Sequence, residues 1–206
     1  MKTSLPNQTL PKRYHLAAYL IVLLALLVPR LFQLDHFVAV DEINWLHRSA
    51  NFYSSFMRGD YSGTFVNRTP GVITSWIGAA AFRIQMPYYG ISNEAQRSSY
   101  YMFELVLREQ GVHPMDILQV ARLLMVLFLS AVLLLSFYYS VRLFGLWPSL
   151  VSFLLLASDP FLSALSRMNH LDAPQAFLMG LSLLSFTSFF LIEKRYRDLV
   201  ISGAAG

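Results

Sequence analysis

Two adjacent acids, Asp41-Glu42, stand a few residues after a long apolar block and open a stretch with helical periodicity. A carboxylate there can serve as a general base. Equally, acids near a helix N-terminus stabilise the helix dipole by about 0.3–1 kcal/mol without doing any chemistry. Successive helical residues point about 100° apart, so the two carboxylates cannot both address one atom. At most one acts directly, while the other orients it or binds a neighbour. A second concentration of polar groups is the run Ser166-Arg167-Met168-Asn169-His170-Leu171-Asp172. Arg167 and Asp172 are either solvated boundary charges or site residues, and Asp172, ahead of Ala173-Pro174, is also a candidate helix cap. Asp159-Pro160 reads first as a helix stop. His47, His113 and His170 are too widely spaced for a metal motif, so no cofactor is expected and a divalent ion has no support from spacing. There is no phosphate-cradling glycine loop and no nucleophile elbow. The absence of cysteine (0 residues) removes disulfides, thiolate metal sites and cysteine nucleophiles together.

The elements that must position these groups are membrane elements. Of the 206 residues 55% are hydrophobic and only 14% charged, with a mean hydropathy of +0.47. Soluble domains carry about 25% charged residues, so neither an ordinary cytosolic enzyme nor a disordered chain fits. The net charge of +4 comes from 16 Lys and Arg against 12 Asp and Glu. Those charges are spread singly, which argues against a nucleic-acid partner. The apolar residues lie in blocks. Residues 16–28 are uninterrupted, 123–141 and 173–192 contain no charge, and 143–158 is uncharged up to Asp159-Pro160. A bilayer core of about 30 Å needs roughly 20 helical residues. The expectation is therefore an all-α polytopic transmembrane bundle with about four spans, near 14–34, 119–141, 143–160 and 173–192. The span interiors read as essentially free of ionisable groups. A cleaved signal peptide is the alternative for the first block, but no small-x-small site follows it. The apolar stretch from residue 199 reads as the start of a fifth span, and the chain as the N-terminal part of a longer transmembrane domain.

Orientation follows from the basic residues near span ends. Lys2, Lys12, Arg13, Arg142, Lys194, Arg195 and Arg197 all fall on one side if four spans alternate. That side is expected to be cytoplasmic, with the protein multi-pass in the cell membrane. The long segment at about 35–116 is then extracytoplasmic, and a loop of that length translocates largely regardless of charge. Within it, Ile43, Leu46, Ala50, Tyr53 and Met57 recur on one helical face. Such a helix, leaving a span directly, most simply lies along the interface with this face in the headgroup boundary, Trp45 and Phe52 at that depth, ending at Gly59-Asp60, although a packed soluble helix would show the same stripe. Thr69-Pro70-Gly71 signals a second helix start, opening an apolar stretch over 72–82 that is too short to span. Residues 85–99 read as a loop, 100–108 as helical again, and Gly111-Val112-His113-Pro114 as the entry to the second span.

In this order the pieces resemble the N-terminal part of the GT-C superfamily of integral-membrane glycosyltransferases, especially its protein O-mannosyltransferase and lipid A aminoarabinose transferase branch. The matching motifs are Asp41-Glu42, Arg68-Thr69-Pro70-Gly71-Val72, and Ser158-Asp159-Pro160 through Ser166-Arg167 to Leu171-Asp172-Ala173. They cover most of residues 35–175. Family members often show His-Pro-Pro or Pro-Pro-Gly where this chain has Arg68-Thr69-Pro70-Gly71, and they carry many more spans and often a soluble C-terminal domain. The resemblance implies transfer of a sugar from a polyprenyl-phosphate donor to a protein, lipid or glycan acceptor on the extracytoplasmic face, with inversion. It implies Asp41 as the general base and Arg68 and Arg167, with Arg48 behind them, as groups stabilising the leaving lipid phosphate. Glu42 and Asp172 would shape the site or bind donor hydroxyls. The rival readings are non-catalytic: a transporter or channel subunit, or an accessory membrane protein whose external loop binds a partner. Transport favours ionisable groups inside the spans, whereas here the acids sit at their external ends.

Overall fold

The computed structural model describes residues 11–36, 38–65, 71–89 and 103–206, and among these the regular elements are helices. Most of the expected loop at 85–99, together with Arg68, Thr69 and Pro70, lies outside the described residues. The first helix, α1 (Lys12–Leu31), buries a narrow stripe of Ala18, Val22, Leu26 and Arg30, four residues apart. Leu16, Leu20, Leu24 and Leu31 are exposed, as a lipid-facing helix requires. The next two helices, α2 (Val40–Met57) and α3 (Val72–Gln85), form a pair, followed by the short α4 (Phe103–Glu109).

The long α5 (Pro114–Phe144) is the axis of the molecule. Its start follows capping chemistry: His113 Nδ1 accepts from the Met115 amide at 3.2 Å, and Pro114 occupies the first turn, where its missing N–H costs nothing. Its 31 residues extend about 46 Å at 1.5 Å per residue. Apolar side chains surround it, so it buries 56% of its most apolar window against 22% for α1. It is followed by α6 (Leu146–Ser158), α7 (Pro160–Leu165), α8 (Asp172–Leu191) and α9 (Tyr196–Ala205).

Among the described residues three helices, α1, α5 and α8, are long and apolar enough to cross a bilayer. Where a third span was expected at 143–160, the structure has the 13-residue α6, about 20 Å long. It stops because Asp159 turns its Oδ1 onto the Leu162 amide at 2.7 Å and, with Pro160, starts α7 instead. The spans were also expected to lack ionisable groups, yet Arg30 and Arg122 lie inside α1 and α5, 1% and 4% exposed.

Two apolar cores result. One joins α1, α5, α6 and α8 through Val22, Leu26, Leu129, Phe137, Phe153 and Phe177. Tyr19 meets Phe137 edge-on at 4.9 Å while Arg122 reaches the carbonyl after the other end of α1, so α1 and α5 run antiparallel. The other core packs α2 and α3 on the first turns of α5, through Leu46, Ala50, Tyr53, Phe82, Phe103 and Leu118. This corrects the interfacial reading of α2: Leu46, Ala50 and Tyr53 are buried in protein, as is Trp45 at 3% exposure. The helices can approach because α3 carries Gly78 at the crossing, where an added Cβ would fall 2.1 Å from Ser49 Oγ.

Candidate active site

At the end of the bundle where α1 stops and α5 begins, four segments converge: the 32–36 connector, the start of α2, the third turn of α5, and the turn before α8. Glu42, in the first turn of α2, is completely buried. Its Oε2 accepts from the Ala39 amide at 3.0 Å, which satisfies one of the orphan donors of the helix start. Arg122 binds it in fork fashion, Nε to Oε1 at 2.9 Å and Nη2 to Oε2 at 2.5 Å. The Asn169 amide donates to Oε1 at 3.0 Å. Both oxygens are therefore committed to protein donors, and a buried charge pair with this many partners meets the condition for surviving desolvation.

Arg122 does more than neutralise Glu42. Its Nη1 donates to the carbonyls of Leu34 at 2.6 Å and His36 at 3.1 Å, tying down the connector between α1 and α2. Arg167 grips the same connector from the opposite turn, donating from Nη2 to the carbonyls of Phe32 and Gln33. Arg30 Nε donates to Ser166 Oγ at 2.6 Å and fixes that turn to α1. Gln33 takes a positive φ of 54° within this strapped segment. Beside it the Asp35 carboxylate lies below the ordinary carboxylate range, chiefly because His36 Nδ1 hydrogen-bonds it at 2.7 Å.

One helical step from Glu42, Asp41 points outward with its side chain 66% exposed. The two adjacent side chains point apart, as successive helical positions do. His170 stands next to Asp41 with its side chain 19% exposed. Its Nε2 lies 3.6 Å from Asp41 Oδ2, and its Nδ1 lies 3.3 Å from Asp172 Oδ2. Its carbonyl accepts from Thr74 Oγ1 of α3 at 3.4 Å, and its ring meets Trp45 edge-on. Arg48 lies over the Trp45 ring, 4.8 Å from its centroid. Among the described residues no three Asp, Glu or His side chains converge as a ligand set for a metal ion.

The structure thus brings Asp41, Glu42, Arg167 and Asp172 to one end of the bundle, and Arg68 lies outside the described residues. A cavity of about 200 Å³ at this end of the bundle is lined by Gln33, Leu34, His36, Arg122, Ala164, Arg167 and Met168. Sequence reasoning missed Arg122 and passed over His170. The signal for the first was present, since an arginine inside an otherwise apolar helix needs a partner. A family model for dolichyl-phosphate-mannose-protein mannosyltransferases matches residues 100–206, just over half the chain. The chain belongs to that family. It is an integral-membrane glycosyltransferase of the GT-C type. The stretch matched contains Arg122, Arg167, His170 and Asp172, whereas Asp41 and Glu42 precede it. Comparisons with curated proteins and with solved structures gave no match.

Proposed function

We propose that this mannosyltransferase-family protein moves a sugar from a polyprenyl-phosphate donor to an acceptor hydroxyl, with Asp41 as general base and inversion at the sugar carbon. The observation that carries the reading is the division of labour in the acidic pair. Glu42 is sealed and fully hydrogen-bonded, which fixes the start of α2, and of the two adjacent acids Asp41 is the one that presents an exposed carboxylate at the converging turns. In the reaction Asp41 takes the acceptor proton as the acceptor oxygen attacks the sugar carbon and the lipid phosphate leaves with the bonding pair. A positioned base contributes roughly 10²–10⁴-fold.

The leaving phosphate needs cationic or dipolar stabilisation. Arg167, on the wall of the 200 Å³ cavity, is one candidate and Arg68 the other. Asp172 binds donor hydroxyls or shapes the site beside His170, and Glu42 shapes it from beneath. The lipid tail of the donor suits a site at the end of a membrane bundle, at headgroup depth. The charge layout supports an extracytoplasmic site. Lys12, Arg13, Arg142, Lys194, Arg195 and Arg197 gather at the opposite end of the bundle, and that basic end is the one held in the cytoplasm. The acceptor is a protein, lipid or glycan hydroxyl.

Membranes containing the whole enzyme, given a polyprenyl-phosphate sugar labelled in the sugar, test this reading. Asp41→Asn is expected to lower transfer by roughly 10²-fold or more. Transfer at the wild-type rate would remove Asp41 from the mechanism.

A further inference from the structure

We propose that Arg30 is a positioning residue for the donor's lipid phosphate: from behind the wall of the cavity of about 200 Å³ it holds the turn that carries Arg167 and adds a second, uncompensated positive charge. The inference rests on the reading that sets the phosphate beside Arg167.

The ground is how poorly the fold itself provides for this side chain. Arg30 is 1% exposed in the last turn of α1, and an arginine keeps its charge even when buried. Its Nε donates to Ser166 Oγ at 2.6 Å and its Nη1 to the Leu26 carbonyl at 3.0 Å. Both acceptors are neutral, and the second belongs to its own helix. Nη2 is buried with no hydrogen-bond partner among the described residues. The acids at this end are engaged elsewhere: Glu42 by Arg122, Asp35 by His36, and Asp159 by the Leu162 amide. A helix C-terminus favours a cation, but by far less than an unpaired buried charge costs. A strut between α1 and Ser166 needs no charge, since a neutral donor would serve. The uncompensated cation therefore points to an anion that arrives with a ligand.

Two segments of the cavity wall meet at Arg30. Gln33 and Leu34 follow it in the connector, and its partner Ser166 adjoins Arg167 in the opposite turn. On the wall itself Arg122 is neutralised by Glu42. Arg167 uses Nη2 on the carbonyls of Phe32 and Gln33, and among the described residues no carboxylate pairs with it. The Ser166 hydroxyl links the two free cations, accepting from Arg30 and donating back into its own turn toward the carbonyls of Leu162 and Ser163. A phosphate in the cavity then meets Arg167 directly and feels Arg30 through the wall, where little water intervenes to screen the charge.

The test compares a charged with an uncharged lipid. The whole enzyme in phosphatidylcholine nanodiscs is titrated with polyprenyl phosphate and with polyprenol of the same length. Arg30→Met fills the space without the charge, a replacement that buried ionic sites often tolerate with no loss of stability. It is expected to weaken polyprenyl phosphate binding roughly tenfold, to leave polyprenol binding unchanged, and to melt no lower than the wild type. Arg30→Gln keeps a donor for Ser166 and should show the same selective loss. The ratio of the two lipids carries the result, so whichever variant folds decides it. A strut alone would weaken both lipids alike or neither, and either result overturns the inference. Equal binding of phosphatidylglycerol and polyprenyl phosphate by the wild type also overturns it, since the site would then take any lipid phosphate. Arg167→Gln separates the two readings. If that variant binds polyprenyl phosphate as the wild type does, the phosphate is not beside Arg167 and the parent reading fails. If it binds weakly while both Arg30 variants keep the wild-type ratio, only the present inference fails.

Discussion

At both ends of the bundle a buried carboxylate on a neighbouring helix is bound by an arginine of α5, and the ends differ in what surrounds the pair. At one end Arg122 forks onto Glu42, with side chains 5% and 0% exposed. At the other, Arg142 Nη1 meets Asp198 Oδ2 of α9 at 2.9 Å, and Tyr139 donates to Oδ1 at 3.0 Å, with the Arg142 and Asp198 side chains 14% and 0% exposed. Both pairs pin a peripheral helix to the central one. Outside the second pair the exposed acid Glu193 is already bound by Arg195. Outside the first, the exposed acids Asp41 and Asp172 face an imidazole and no other cation among the described residues. The same clamp has been used twice, and among the described residues it is the first end that keeps these acids free of a permanent cation. Exposed carboxylates without a fixed countercharge can change protonation during a reaction, which is what the proposed assignment of the chemistry to that end requires.

The comparison can be broken at the deeper pair first. Glu42→Gln leaves Arg122 buried without its countercharge, a situation that costs about 3–5 kcal/mol. A marked fall in melting temperature in detergent is expected, along with loss of transfer, since the 32–36 connector and α2 lose a shared anchor. An unchanged melt would show that the pair carries little. Asp198→Asn should cost less, about 1.5–3 kcal/mol, because Arg142 sits nearer the end of its helix and retains more exposure. Its melting temperature should fall while the turnover of the folded enzyme stays near the wild-type value. A marked loss of that turnover would mean the two ends are coupled. Tyr139→Phe removes one donor to Asp198 and should cost about 0.5–1.5 kcal/mol, read as a small drop in melting temperature with transfer retained.

Much of this architecture is legible in the sequence because local chemistry decides it. Proline and a capping histidine begin α5 at Pro114, and Asp159-Pro160 ends α6 and starts α7. The apolar face of α2 and its end before Gly59 follow from periodicity and a positive-φ glycine. What the sequence did not reveal depends on partners far along the chain. Nothing near Glu42 indicates that it meets an arginine 80 residues away, or that the Asn169 amide closes the set from 127 residues away. Periodicity gives α2 an apolar face but not its cover, and the decisive feature, Gly78 against Ser49, lies on a different helix. His170 was set aside because it lacks metal-ligand spacing, although its neighbours are two carboxylates contributed by two helices. Arg167 was read as a phosphate ligand from the resemblance, and its bonds to the carbonyls of Phe32 and Gln33 add a strapping role that no local pattern encodes.

The sharpest discrimination lies within the adjacent acids, measured side by side in one membrane preparation. Asp41→Asn should abolish most sugar transfer with the melting temperature of the wild type, because its side chain is two-thirds exposed and bonded to nothing buried deep in the fold. Wild-type turnover in Asp41→Asn, or a collapse of its thermal stability comparable to that of Glu42→Gln, would contradict the assignment of chemistry to one acid and architecture to the other.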